Sequence, residues 1–252
     1  MTRHIDHIAL TVRDLPGMAA FYETALGLRP MGGDGATRLL GTGQQMLLEL
    51  RGEPAARPRD PRQAGLYHTA FLLPSRGDLG RWLRHAAEAG VRLTGASDHG
   101  VSEAIYLDDP EGNGIEIYRD RPATEWVRTG DRVTMVTARL DLNELAADSP
   151  DAWDSAPLGT TIGHVHLQVG DLAQADSFLT GPLGLTRSFD VPGGAWYGWN
   201  GYHHHIAGNV WHSPGAGPRE AAMTGLAHVA LHAPDRAGEV LTDPWGTRFV
   251  MQ

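Results

Sequence analysis

The chain carries a partial repeat of itself, and this limits the folds open to it more than composition does. HIDHIALTVRDL (4–15) is echoed by TIGHVHLQVGDL (161–172), and GLYHTAFLLPS (65–75) by GLAHVALHAPD (225–235). Between them, FYETALGL (21–28) answers FLTGPLGL (178–185), and DDPEGNGIEIY (108–118) answers TDPWGTRFVMQ (242–252). Such self-similarity marks an architecture of stacked or paired supersecondary units. Each copy sets a histidine at the same point of an apolar strand: His7, His68, His164 and His228. Neutral imidazole is the commonest protein metal ligand, so equivalent histidines point to a metal site.

Composition narrows the chemistry. No cysteine occurs among the 252 residues, so disulfides, thiolate ligands and cysteine nucleophiles are excluded, and a metal must sit on His, Asp or Glu. A net charge of −9 argues against a nucleic-acid or polybasic membrane partner. No apolar run is long enough to span a bilayer, and MTRHIDHIAL lacks the apolar core of a signal peptide. The expected location is therefore the cytoplasm.

Periodicity supplies the units. Residues 4–12 alternate as a strand, with Ile5, His7, Ala9 and Thr11 on one face. Asp14 caps a following helix with Pro16 in its first turn, and Gly27 stops it. RLLGTG and QQMLLEL form a hairpin pair, and residues 52–64 are a Pro/Arg/Gly-rich connector. The second unit begins at Leu66, with a strand, Ser75 as helix cap, an apolar stripe of Leu79, Trp82, Leu83, Ala86 and Ala87, and strands over VRLTGAS, SEAIYLDD and GIEIYRD. VTMVTARL (133–140) alternates like a strand, and LDLNELAAD starts a short helix. A third unit runs from Ile162 to about Trp211. The fourth begins at Leu226, and its stretch from His228 to Val250 is less than half as long as that from His68 to Glu116. About one helix and one or two strands are missing from it.

The strand–helix–three-strand order, with GLYHTAFLLPSR, GASDHGVSEAIYLDDPEGNGIEIYRDRP and GHVHLQVGDL, resembles the vicinal oxygen chelate superfamily. That superfamily includes glyoxalase I, bleomycin-resistance proteins and type I extradiol dioxygenases. The resemblance covers nearly the whole chain and is nearest to two-domain catechol 2,3-dioxygenase-like proteins. It implies an α+β fold of tandem βαβββ modules forming two curved mixed-sheet half-barrels, the fourth module truncated. The expected domains are a two-module metal-binding domain at 1–120, a linker at 121–160 and a degenerate two-module domain at 161–252.

The family pattern implies a metal held by His7, His68 and Glu116, with two imidazoles and one carboxylate leaving positions open for substrate and dioxygen. His99 and Tyr106 match the family's further histidine and tyrosine. His99 would hydrogen-bond dioxygen or substrate oxygen, and Tyr106 would hold a catecholate oxygen. Ser97 departs from the usual pattern. Glu49 falls where glyoxalase I places its first carboxylate ligand, so it is either a fourth ligand or an acid–base group beside the metal. The acid–base histidine that ring-cleaving enzymes place between their two metal histidines is missing between His7 and His68. In GYHHHIAGNVW (201–211), His203 and His205 are expected on one strand face and His204 on the other; Ala207 and Val250 replace the two carboxylates. Trp196, Tyr197 and Trp199 are expected to pack the C-terminal sheet or to line a pocket.

These implications amount to a ring-cleaving dioxygenase for a catechol-like aromatic diol. Fe(II) is the expected metal, with Mn(II), Ni(II) or Zn(II) as alternatives. The rival readings are a glyoxalase-like isomerase or lyase and a non-enzymatic binder of the bleomycin-resistance kind. The unfilled edge of the fourth module implies a homodimer.

Overall fold

The computed structural model describes residues 3–148, 151–220 and 222–252. In chain order the elements are β1 (His4–Val12), α1 (Leu15–Ala25), β2 (Arg29–Gly33), β3 (Thr37–Gly41), β4 (Met46–Gly52), β5 (Gly65–Leu72), α2 (Arg76–Glu88), β6 (Leu93–Asp98), β7 (Ser102–Asp108) and β8 (Gly114–Asp120). There follow β9 (Arg128–Thr129), β10 (Arg132–Val133), α3 (Leu142–Ala147), β11 (Thr161–Gln168), α4 (Leu172–Thr180), β12 (Thr186–Val191), β13 (Gly194–Gly198), β14 (Ile206–Asn209), β15 (Gly225–His232), β16 (Val240–Thr242) and β17 (Arg248–Met251). No helix among the described residues is long and apolar enough to cross a membrane.

The helices begin where short polar side chains satisfy orphan amides. Asp14 Oδ1 accepts from the Gly17 amide at 3.0 Å, Ser75 Oγ from Asp78 at 3.1 Å and Asp171 Oδ1 from Gln174 at 2.8 Å. Gly27, at φ +68°, turns the chain out of α1 in the left-handed conformation that glycine tolerates. Of the predicted stripe of α2, Leu79, Trp82, Leu83 and Ala86 are buried and Ala87 is exposed; Trp82 Nε1 donates to the Ala25 carbonyl at 2.9 Å, tying α2 to the end of α1.

The strands form two large mixed sheets, ordered β16-β17-β15-β1-β4-β3-β2 and β12-β13-β14-β11-β5-β8-β7-β6. In each, two modules meet through antiparallel pairing of their first strands, β1 with β15 and β5 with β11. Each first strand also runs parallel to the last strand of its own module. Module one thus shares a sheet with module four, and module two with module three. The sheets cross the expected boundary between 1–120 and 161–252, because the connector at 53–64 carries the chain from one sheet to the other. The main apolar core, including Ile8, Leu48, Phe71, Trp82, Val165 and Phe249, runs through both sheets.

Two local expectations differ. Residues 134–140 do not form a strand of their own; they lie along the β6 edge through Asp98–Ala138 backbone bonds of 2.9 and 3.0 Å and a Val136-to-His99 bond of 3.1 Å. Residues 203–205 form a bent segment leading into β14 and not part of it, so strict alternation does not apply to the three histidines. The shortened fourth module keeps its first strand paired within the chain and ends in the three-residue edge strand β16, a length that blunts an edge. Positions 149 and 150 of the expected linker lie outside the described residues; within the rest of it, α3 follows an Asp141 cap.

Candidate metal centre

The register of the second sheet assembles the centre. On β5, Ala70 has Glu116 of β8 on one side and His164 of β11 on the other. His68, two residues before Ala70, projects from the same face. His68 Nε2 and His164 Nε2 each lie 3.1 Å from Glu116 Oε2 and 3.3 Å from one another. All three residues are buried. Gly163 makes room for this approach: a Cβ there would collide with the Tyr118 hydroxyl, packed beside His164.

The triangle has the dimensions of a ligand face. Donors bound at about 2.1 Å stand roughly 3.0 Å apart in a right-angled arrangement and roughly 3.4 Å in a tetrahedral one. Burial opposes the Glu116 charge, but the electrostatic and hydrogen-bonding contacts of His164 and His68 outweigh it and hold the carboxyl well below its usual range. Burial pushes His164 down and favours the neutral imidazole, the form that ligates a metal. One carboxylate and two neutral imidazoles form a hard-to-borderline donor set suited to a divalent first-row ion.

A cavity of about 650 Å³ opens on the triangle. Tyr67, Phe189, Trp196 and Trp211 supply aromatic walls, and Met135–Thr137, held on the β6 edge, contribute to its lining. His99 and Tyr106 also face it. His99 Nδ1 donates to the Val136 carbonyl at 2.7 Å, leaving Nε2 of the neutral ring to accept from the Tyr106 hydroxyl at 2.8 Å. Burial and the Glu116 charge raise the Tyr106 phenol well above its usual range, so it keeps its proton. His166 lines the cavity as well, fixed by the Asn209 amide at 3.0 Å and kept neutral by burial.

A partly buried relay leads from Asp120 to the cavity. Asp120 Oδ2 accepts from the Tyr202 hydroxyl at 2.8 Å and Oδ1 from His203 Nε2 at 2.8 Å. A neutral His203 so oriented must accept at Nδ1, and its partner there is His204 Nδ1 at 2.7 Å. With His203 in that form, His204 is protonated on Nδ1 and carries its lone pair on Nε2. Its ring lines the cavity, 4.1 Å between centroids from His164, and burial keeps it neutral.

Of the residues singled out in the sequence, the structure brings His68, Glu116, His99 and Tyr106 to one cavity. It does not bring His7 or Glu49 there. Both lie in the other sheet with His228, because β1 pairs with β15 and β4 and not with β5. The third member of the triangle is His164, and His204, in the module of His164, lines the same cavity. One signal for this was present in the chain: four first-strand histidines and two last-strand glutamates suffice for two sets of two imidazoles and one carboxylate. Trp196 lines the cavity, while Tyr197 and Trp199 are buried.

Comparison with known proteins agrees with this architecture. Residues 4–117 match the model of the Glyoxalase/Bleomycin resistance protein/Dioxygenase superfamily. The chain is 38% identical over 241 residues to a catechol-2,3-dioxygenase of Bacillus subtilis (strain 168), covering 92% of this chain and 83% of that one. It is 31% identical over 153 residues to biphenyl-2,3-diol 1,2-dioxygenase 3 of Rhodococcus globerulus, covering 58% of this chain and 80% of the relative. Glyoxalase I from Zea mays shares the fold, with a TM-score of 0.59 at 16% identity over 99% of this chain and 92% of that one. The repeat, the paired modules and these relatives together establish that the chain belongs to the glyoxalase/bleomycin resistance/dioxygenase superfamily.

Proposed function

We propose that this chain is a metal-dependent extradiol dioxygenase acting on a catechol-like aromatic diol, with its metal held by His68, His164 and Glu116. The observation that carries the reading is the 3.1–3.3 Å triangle of two imidazoles and one carboxylate at the floor of an aromatic-walled cavity. Fe(II) bound there would supply the centre on which diol and dioxygen are gathered and exchange electrons.

The protein's own groups then bind, orient and manage protons. The aromatic walls take a planar ring, exclude water and fix its angle to the triangle. His204 Nε2 is placed to accept the proton of a diol hydroxyl, and the Asp120–His203 relay stabilises the positive charge that this creates. Tyr106 retains its proton and, on turning its O–H away from His99, serves as a hydrogen-bond donor to a developing oxyanion. A fourth carboxylate ligand of the glyoxalase kind has no counterpart: on β14 the position equivalent to Glu116 is Ala207, opposite His166 as Glu116 is opposite Ala70. This leaves the far side of the triangle open.

The test is dioxygen uptake by protein reconstituted with Fe(II) under reducing conditions and offered a series of substituted catechols. A ring-opened, yellow product is expected with at least one, and His164→Ala or Glu116→Gln should lose metal and turnover together. Full metal occupancy with no uptake for any diol would overturn the reading, as would undiminished turnover in His164→Ala.

A further inference from the structure

The first sheet repeats the register that builds the centre described above. On β1, Ala9 lies opposite Glu49 of β4 on one side and His228 of β15 on the other, as Ala70 lies between Glu116 and His164. His7 precedes Ala9 by two residues, as His68 precedes Ala70. The internal repeat thus creates a second cluster, and one ligand atom from each of His7, Glu49 and His228 lies within 4.8 Å of the other two. His7 and His228 are buried, and their rings meet edge to face at 5.6 Å.

Two further contacts bear on a ligand. Asp6 Oδ2 lies 2.7 Å from His7 Nδ1, so a neutral His7 donates from Nδ1 and presents the Nε2 lone pair inward. A carboxylate behind a histidine in this way is a recurrent support for metal ligands, fixing the tautomer and raising basicity. Opposing this, Arg51 Nε and Nη2 grip the two oxygens of Glu49 at 2.8 and 3.0 Å. The guanidinium supplies the positive charge that the carboxylate otherwise lacks, and a bound ion would compete with it.

We propose that His7, Glu49 and His228 form a second divalent transition-metal site, related to the first by the internal repeat and weakened by Arg51. It takes a borderline ion such as Zn(II) and clamps β1 to β4 and β15. It is independent of the ring-cleavage reading, since it shares no residue with the His68–Glu116–His164 triangle.

The test uses the full chain stripped by chelation, dialysed to equilibrium against Zn(II) and analysed for metal per chain. The double variant His164→Ala/His228→Ala serves as the baseline for adventitious surface binding. Wild type should bind two ions above that baseline, and His164→Ala and His228→Ala one each. Arg51→Met should bind the second ion at least tenfold more tightly. His228→Gln keeps the side-chain volume and should likewise bind one ion, with circular dichroism unchanged. A single ion above baseline in both wild type and Arg51→Met, kept by His228→Ala and lost by His164→Ala, would overturn the proposal. So would a folded His228→Gln that binds as many ions as wild type. Failure of the first centre reads differently, as loss of no ion in His164→Ala.

Discussion

Replacing Asp120 by Asn tests how the cavity base is made. Asp120 accepts two hydrogen bonds of 2.8 Å, from His203 and Tyr202, and its side chain is 22% exposed. Hydrogen bonds to a charged group contribute about 1.5–3 kcal/mol, and partial exposure places this one toward the lower end. At about 1.4 kcal/mol per tenfold in rate, the loss should be roughly ten- to a hundredfold in kcat. The tautomer argument gives the same direction. If the new amide turns its NH2 toward His203, both histidines must shift their protons, and His204 Nε2 gains a hydrogen where it needs a lone pair. Metal content should not change, because the hydrogen bonds of Asp120 run to the relay and not to the triangle. Oxygen-electrode kinetics on metal-loaded protein supply the rates, and elemental analysis the occupancy. Asp120→Asn should also be strongly non-additive with His204→Gln, since both act through one lone pair. Turnover within twofold of the parent, or full additivity of the two changes, would refute the relay.

Tyr106→Phe should lower kcat by about ten- to a hundredfold while metal stays, the cost of one donor to a developing oxyanion; loss of metal would contradict this. Trp82→Ala should destabilise the fold by about 3–5 kcal/mol in urea unfolding, because a fully buried indole and its bond to the Ala25 carbonyl are both lost. His205, pushed down to about 3 by burial, accepts from the Trp199 amide at 3.2 Å and is neutral in the native state. Its folded value lies below its unfolded value of about 6.5, so its contribution is present above that pH and is lost as pH falls toward 3. His205→Gln should therefore reduce the acid slope of stability between pH 6 and 4 by up to about 1.4 kcal/mol per pH unit; an unchanged slope would show that His205 does not contribute.

Much of this molecule is legible in its sequence. Alternation over 4–12 and 66–73, the Asp14 and Ser75 caps, and the Leu79–Trp82–Leu83–Ala86 stripe each depend on neighbours a few residues away, so local chemistry decides them. The same is true of the position of Glu116 relative to His68: parallel strands joined by a helix hold both within one module. His99 and Tyr106 came with the turn and strands of that module.

Only the tertiary structure decided which module faces which. The first strands β1, β5, β11 and β15 are near copies, each apolar and each with a histidine at the same point. Any pairing of them buries the same pattern, and the entropy of closing a long loop grows too slowly with length to favour the nearest partner strongly. The chain pairs β1 with β15 and β5 with β11, and that choice gives Glu116 the partner His164, leaving His7 to Glu49 and His228. His204 faces the cavity for a similar reason. Its direction is set by the bend before β14 and by its bond to His203, which is itself held by Asp120; that last contact joins residues too distant in sequence for any periodicity to record.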